Sequence, residues 1–360
     1  IFDTINTDVV VLAVLAYVAF LHFTHASGDA QAPDSHRHLT AFAGKGWVTV
    51  PLAAAVLFPA FWYTVKRPYD SNVSLTQGIA LEKGLDPQSG KMRFIYMEEI
   101  GDLFKRADRI QTTGRYEVRE EYANYASELA KEPLVPAETK IVVVREALAL
   151  LEESIRQDPA FARRYMYPSS LINMTFGVLQ ETHPGLARAL AEKTLSWLQR
   201  AEGLAPTRPQ VFLERGRALA SLKRIDEAAS AFQVVTKLIP WVKSPHLELF
   251  ALYVSAGRFE DAAKEREKMA ALPLALSVSD YDSLIRLCIS RKAFSEAVAL
   301  YQRRLALTPG DAVAMAHLAA TYRDMGDMES ARRTALSAAA LSPQIAAGLQ
   351  EFLKTLEDPK

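Results

Sequence analysis

The pattern of hydrophobic and polar positions changes near residue 68. Before it, residues 9–24 and 47–65 form two almost wholly apolar runs separated by a polar loop. After it, apolar residues recur at the three- and four-residue spacing of amphipathic helices, without the sustained alternation typical of strands. The pattern therefore predicts an all-α chain with an apolar front and a helical body.

The apolar front predicts a transmembrane hairpin within a first region of residues 1–68. The run at 47–65 is long enough to span a bilayer, whereas the run at 9–24 is short of the usual ~20 residues. The residues at the ends of the second run are those expected of membrane-interface anchors: Trp47, Trp62, Tyr63, Lys66 and Arg67. The alternative is a pair of buried helices in a soluble domain.

Four units within residues 207–360 repeat one helical pattern. Each carries an alanine early in its second helix and closes on a proline. These prolines lie 33, 36 and 34 residues apart, at Pro240, Pro273, Pro309 and Pro343. This period, with the alanine and the closing proline of each unit, resembles the tetratricopeptide repeat. The resemblance implies antiparallel helix pairs that stack into an α-solenoid, because one pair cannot bury its apolar face alone.

The turn inside each unit supports the same interpretation. Gly257 and Gly326 occupy it in two units, and Lys223 and Lys292 stand at the equivalent positions of the other two. Glycine there is expected to end the first helix in a left-handed conformation at low steric cost.

The intervening region, residues 69–206, reads as irregular or divergent repeats continuous with the regular array. Its apolar stripes and proline breaks predict six further helices, at residues 73–86, 89–109, 116–131, 138–158, 164–180 and 186–204.

Charge and cysteine content exclude several classes of function. The chain has 42 basic and 42 acidic residues, so its formal net charge is zero, which argues against nucleic acid as a partner. Its only cysteine, Cys288, allows neither an intrachain disulfide nor a multi-thiolate zinc site. We predict a buried core position for it.

The sequence offers no recognisable chemistry of its own. It lacks the nucleophile-elbow, zinc-protease, P-loop and dinucleotide motifs, and no cofactor is expected. His22, His25, His36 and His38 lack nearby Cys or Glu to complete a ligand set, so no metal site is predicted. We find no catalytic residue, and whether the chain is part of an enzyme stays open.

We expect the array to bind partner proteins, because the first helices of such repeats line a concave groove that binds extended peptides. Arg217, Arg286 and Arg323 offer donors to a carboxylate or acidic segment, although they also suit an ordinary surface. The predicted groove residues, which point away from the packing face of the first helices, are Gln210, Arg217, Ser221, His246, Asp282, Arg286, Ser290, His317 and Arg323.

One further resemblance concerns residues 1–160. This part of the chain has two apolar spans, the segment Val65-Lys-Arg-Pro68 directly after the second span, and the helix start Glu117-Val-Arg-Glu120. In these features it resembles the C-terminal end of O-antigen ligase/polymerase family membrane proteins with a tetratricopeptide tail. This implies a multi-pass protein of the bacterial inner membrane, contacting membrane lipid. The family's active site would lie upstream, so lipid-linked glycan is a partner only if such an enzyme domain precedes this chain.

The alternative is a self-contained membrane-anchored adaptor, since proteins of the cytochrome c maturation type also place two spans before such repeats. The side of the membrane is weakly determined. Lys66 and Arg67 favour cytoplasmic repeats, whereas Arg37 and Lys45 in the loop favour the other side.

Overall fold

The computed structural model describes residues 58–84, 97–110, 114–272 and 276–357. Every regular element among them is helical. The chain divides into two compact units, Ile1–Gln157 and Asp158–Lys360. The predicted region boundaries at 68 and 206 stay predictions.

The first unit contains four α-helices within the described residues. Their bounds are α1 Arg67–Gly84, α2 Met97–Arg109, α3 Arg115–Lys131 and α4 Ala137–Gln157. Rings of α2 and α3 form the centre of the unit, where Phe104 lies 5.5 Å from Tyr122 and 6.0 Å from Tyr125 between ring centroids. All three rings are buried, so aromatic packing joins these two helices.

A π-helical turn, Trp62–Lys66, leads into α1 without a break. Phe58, Phe61, Trp62 and Tyr63 in and before this turn are exposed. The Arg67 guanidinium lies 5.1 Å from the Tyr63 ring and donates a hydrogen bond to the Ile110 carbonyl. Arg67 therefore ties the start of α1 to the end of α2, directly after the turn.

The predicted membrane spans fall largely outside the described residues. The span at 9–24 and the anchor Trp47 lie wholly outside them, and only residues 58–65 of the second span lie inside. Among the helices that the structure describes, none combines the length and apolar character needed to cross a bilayer. The transmembrane hairpin remains a prediction.

The second unit is a succession of helical hairpins. Its helices are α5 Arg163–Thr182, α6 Pro184–Leu204, α7 Pro209–Ser221, α8 Ile225–Leu238, α9 Lys243–Ser255, α10 Phe259–Ala271, α11 Val278–Ser290, α12 Phe294–Leu307, α13 Ala312–Met325, α14 Met328–Leu341 and α15 Pro343–Glu357. Antiparallel partners pack as α5 with α6, α7 with α8, and so on to α13 with α14. The last helix, α15, covers the α13–α14 pair.

The close pairing of helices depends on small residues at the contacts. Gly216 on α7 faces Phe232 on α8, and a Cβ at Gly216 would lie 2.5 Å from that ring. Ala228, Ala262, Ala297 and Ala331, the alanines of the repeated motif, are fully buried. The glycine and the motif alanines therefore occupy positions at which the paired helices approach closely.

Candidate protein-binding groove

An open groove crosses three first helices of the second unit. It has a volume of about 670 Å³ and is lined by residues of α5, α7, α8 and α9 and by the turn after α11. We call it the α7–α9 groove. First helices of neighbouring hairpins therefore form a shared concavity, as the repeat pattern predicts.

The floor of the groove is apolar. Phe176, Ile225, Phe232 and Leu252 contribute large side chains. Phe176 and Ile225 are half-buried, so part of each side chain is accessible, whereas Phe232 and Leu252 are buried. The floor therefore offers a hydrophobic contact whose burial by a ligand would be favourable.

Small side chains line the groove between the large ones. They are Ala220 and Ser221 on α7, and Ala251 and Ser255 on α9. Their size allows the main chain of a bound segment to approach both helices closely.

Two cations stand among the lining residues. Lys223, in the turn after α7, and Arg291, in the turn after α11, are both exposed. Within the described part of the chain, neither side chain forms an ion pair or hydrogen bond. Both charges are therefore available to a ligand.

The carboxylate among the lining residues, Glu248, is already paired. Arg217 Nη2 and Nε lie 2.6 and 2.8 Å from Glu248 Oε1, and Arg217 Nη1 lies 3.1 Å from Glu214 Oε1. Asn173 Nδ2 donates to Glu214 Oε2 at 2.7 Å. This chain of contacts links α5, α7 and α9 beside the groove.

Burial and neighbouring charges shift the pKa values of Glu214 and Arg217 in opposite directions. Burial raises the pKa of Glu214, and Arg217 and Asn173 offset only part of the rise. Burial by itself would lower the pKa of Arg217, but Glu248 and Glu214 raise it above its ordinary value. Arg217 therefore stays charged and is held by two carboxylates.

The predicted groove residues are distributed unevenly. Ser221 lines the α7–α9 groove, and Arg217 lies beside it, bound to Glu248. Gln210 is exposed at the start of α7. Of these three predicted residues, only Ser221 lines the groove.

The residues predicted on α11 and α13 lie outside the lining of this groove. Arg286, Ser290 and His317 are exposed, whereas Asp282 is paired with Arg304 at 2.5 Å. Arg323 contacts Asp324 at 2.8 Å and lies 5.3 Å from the Phe352 ring.

His246 lies in the packing layer instead of the open face. Its side chain is 6% exposed, and Nδ1 lies 2.6 Å from Glu265 Oε1 on α10. The register explains this position, because His246 comes 34 residues after Phe212 and 35 before Tyr281. These are the ring positions at which each first helix packs on its partner.

Sequence reasoning missed Lys223, Arg291 and Phe176 as groove residues. Lys223 was visible only as a replacement for a turn glycine, and Arg291 directly precedes the equivalent Lys292. Treating the turn after each first helix as part of the ligand face would have found both. Phe176 belongs to a hairpin without the regular motif and gave no such signal.

The Cys288 thiol, on α11, does not suit nucleophilic chemistry. Burial raises the pKa of the Cys288 thiol to about 12, with Glu296 adding to the rise, so the thiol is un-ionised at neutral pH. Its predicted core position is confirmed. In the residues that the structure describes, no three His, Cys, Asp or Glu side chains gather to hold a metal.

The paired helices, the motif alanines and the shared groove make the second unit a helical-hairpin array whose period and hairpins are those expected of tetratricopeptide repeats. No family model matches the chain. No curated protein matches it either.

Several solved structures are similar over part of the chain. BtubC from P. vanneervenii is 19% identical over 60% of this chain and 93% of its own, with a TM-score of 0.39. A thermophilic tetratricopeptide protein from Thermus thermophilus is 18% identical over 66% and 97%, with a TM-score of 0.37. The type IV pilus biogenesis factor PilW is 16% identical over 63% and 98%, also at 0.37. TM-scores of this size do not establish a common fold, so the repeat class rests on the chain's own period and hairpins.

Proposed function

We propose that this chain is a tetratricopeptide scaffold that binds an extended segment of a partner protein in the α7–α9 groove. The observation that supports this most is an open concavity with a reachable apolar floor and two unpaired cations. Most of its lining residues belong to helices, so we expect binding of a segment to require little reorganisation of the receptor.

Filling the groove tests this proposal. Ala251→Trp places a large ring on the α9 lining, whereas Leu336→Trp changes an exposed position on α14 outside it. Quantitative affinity capture of the full chain should show proteins that Ala251→Trp loses and Leu336→Trp retains. Identical captured sets for both variants and the parent would contradict binding in this groove.

Membrane anchoring is the second part of the proposal. Exposed Phe58, Phe61, Trp62 and Tyr63 precede the cations Lys66 and Arg67 on one continuous helix. Aromatic rings followed by cations suit the boundary between hydrocarbon and headgroups, and lipid can contact the exposed rings of such a helix. This supports membrane lipid as a partner beside the protein ligand.

Alkaline extraction of membranes tests the anchor. A bilayer-spanning chain stays in the membrane pellet after carbonate treatment, whereas a peripheral or soluble chain is released. Protease protection of the repeat helices in sealed vesicles then reports their side, for which we favour the cytoplasm of a bacterial inner membrane.

The finer assignment is the tail of an O-antigen ligase/polymerase-like protein. The helix start at Glu117–Glu120 supports it only by resemblance, and Val118, Arg119 and Glu120 are buried here, so they serve packing. The alternative is a self-contained adaptor of the cytochrome c maturation type. Reading the coding frame upstream of Ile1 separates them, because only the first requires further spans and a large external loop there.

A further inference from the structure

We propose, resting on the groove function above, that the α7–α9 groove selects an acidic segment in which carboxylates flank an apolar side chain. Lys223 and Arg291 would bind the carboxylates, and Phe176 and Ile225 would take the apolar side chain. The ligand class is thus an acidic, partly hydrophobic peptide of a partner protein.

The charge balance of the lining favours an acidic ligand. Its three charged residues are Lys223, Arg291 and Glu248. Glu248 is neutralised by Arg217 through contacts of 2.6 and 2.8 Å, which leaves the two cations uncompensated. A basic segment would meet these two cations, and the lining carboxylate Glu248 is already bound by Arg217, so like-charge repulsion would select against it.

The cations proposed to bind the ligand, Lys223 and Arg291, differ from the three arginines that the sequence suggested. Arg217 is engaged by Glu248 and Glu214, so it orders the edge of the groove and does not bind the ligand. Arg286 and Arg323 lie outside the lining residues. An acidic segment in this groove therefore depends on the turns after α7 and α11, not on the middle of the first helices.

The apolar floor of the groove is the reason for proposing an apolar side chain in the ligand. Phe176 on α5 and Ile225 on α8 are half-buried, so each presents apolar surface to the groove. Ala251 and Ser255 between the rims leave room for an extended main chain. A purely acidic segment would leave this apolar surface exposed to water, whereas an apolar side chain would bury it.

The chain offers a matched control for the charge test. Lys292 stands at the register position of Lys223 in the third repeat and has the same left-handed backbone, with φ of 58° against 60°. Lys292 does not line the groove. Lys223→Glu with Arg291→Glu can therefore be compared with Lys292→Glu and Arg323→Glu, which change the net charge equally.

The experiment measures binding of labelled synthetic peptides to the full chain by fluorescence anisotropy. One peptide alternates leucine and glutamate, a second replaces glutamate by lysine, and a third replaces leucine by serine. We expect the first to bind best and to weaken as salt rises. The groove double variant should lose at least about tenfold in affinity and the control double variant much less.

Two results would overturn the acidic selectivity: equal binding of the lysine peptide, or equal losses in both double variants. The proposed groove function would survive if the lysine peptide bound and Ala251→Trp still abolished that binding. If no peptide bound to the parent chain, the acidic class would fail. The separate capture comparison of Ala251→Trp with Leu336→Trp would then decide the groove function.

Discussion

At the scale of single residues, the turn inside each regular repeat imposes one backbone conformation on two residue types. Lys223, Gly257, Lys292 and Gly326 have φ values of 60°, 73°, 58° and 91°. The predicted equivalence of the two lysines with the two glycines is thereby confirmed. This conformation costs a lysine ~1–2 kcal/mol in steric strain, whereas glycine adopts it without strain.

Replacing the turn lysine should therefore stabilise the second unit. Lys292→Gly removes the steric cost but adds backbone entropy to the unfolded chain, so we expect a net gain of about 0.5–1 kcal/mol in the free energy of unfolding. Lys264→Gly, on the exposed face of α10, is the control and should lose ~1 kcal/mol. Urea denaturation of both variants measures this. A loss at Lys292 similar to that at Lys264 would contradict the account.

Gly216 is required for a different reason. Its backbone is helical, so alanine would normally stabilise α7, but a Cβ would lie 2.5–2.8 Å from three atoms of the Phe232 ring. We expect Gly216→Ala to destabilise by ~1–3 kcal/mol, as in overpacked cores. Gly348→Ala on α15 has no atom within 4 Å of the added Cβ and should be neutral or stabilising. Equal effects in thermal unfolding would count against the tight contact.

His246 was predicted wrongly as a groove residue. Helical spacing alone placed it with the groove residues, because a polar side chain on a first helix suggests an exposed face. The structure buries it against Glu265. Tertiary pairing of two polar groups decides such a position, and helical periodicity carries no information about that partner.

At the scale of elements, most helices were predictable because each has a clear apolar stripe and a proline, glycine or polar break at its ends. The helices predicted at 116–131, 138–158 and 186–204 correspond to Arg115–Lys131, Ala137–Gln157 and Pro184–Leu204. The π-helical turn Trp62–Lys66 was not predicted. Apolar spacing does not distinguish a π-turn from the α-helix that continues it.

A buried ion pair joins three helices of the first unit. Arg119 on α3 is 4% exposed and Asp108 on α2 is 13% exposed, with Arg119 Nε 2.6 Å from Asp108 Oδ1. Arg119 Nη1 also donates to Ser154 and Gln157 on α4, at 3.0 and 3.1 Å. The arginine of the motif that suggested a glycan enzyme is thus a packing residue here.

Breaking this pair should be costly, whereas removing both charges should not. Arg119→Met leaves Asp108 without its partner, and we expect a loss of ~3–5 kcal/mol. Adding Asp108→Leu should recover much of it, because two apolar side chains can replace a buried pair. Lys131→Ala breaks an exposed pair with Glu128 and should cost under ~1 kcal/mol. Additive losses in a double-mutant cycle would refute the coupling.

At the scale of the whole molecule, α15 acts as a cover on the repeat array. Leu349 packs into a cluster with Ala319, Ala335 and Ala338, and Phe352 packs against the same cluster. The α13–α14 hairpin would expose this apolar face if no further element packed on it. The sequence pattern showed the repeats but gave this helix no separate role.

Substitutions on the two faces of α15 test the cover. Leu349→Ser with Phe352→Ser removes the packed side chains, so we expect a lower unfolding temperature and self-association through the exposed face. Glu351→Ser with Lys354→Ser changes less buried positions of the same helix and should leave both properties unchanged. Light scattering and thermal unfolding measure them. A monomeric, fully stable first variant would show that α15 covers nothing essential.

Photo-crosslinking from the groove in intact cells tests the central claim, that the α7–α9 groove binds a partner protein. A photoreactive amino acid at Ala251 should give a discrete adduct that disappears when Lys223 and Arg291 are both changed to glutamate. The same amino acid at Leu336, on α14 outside the groove, should not give that adduct. No adduct at Ala251, or the same adduct from both positions, would contradict the claim.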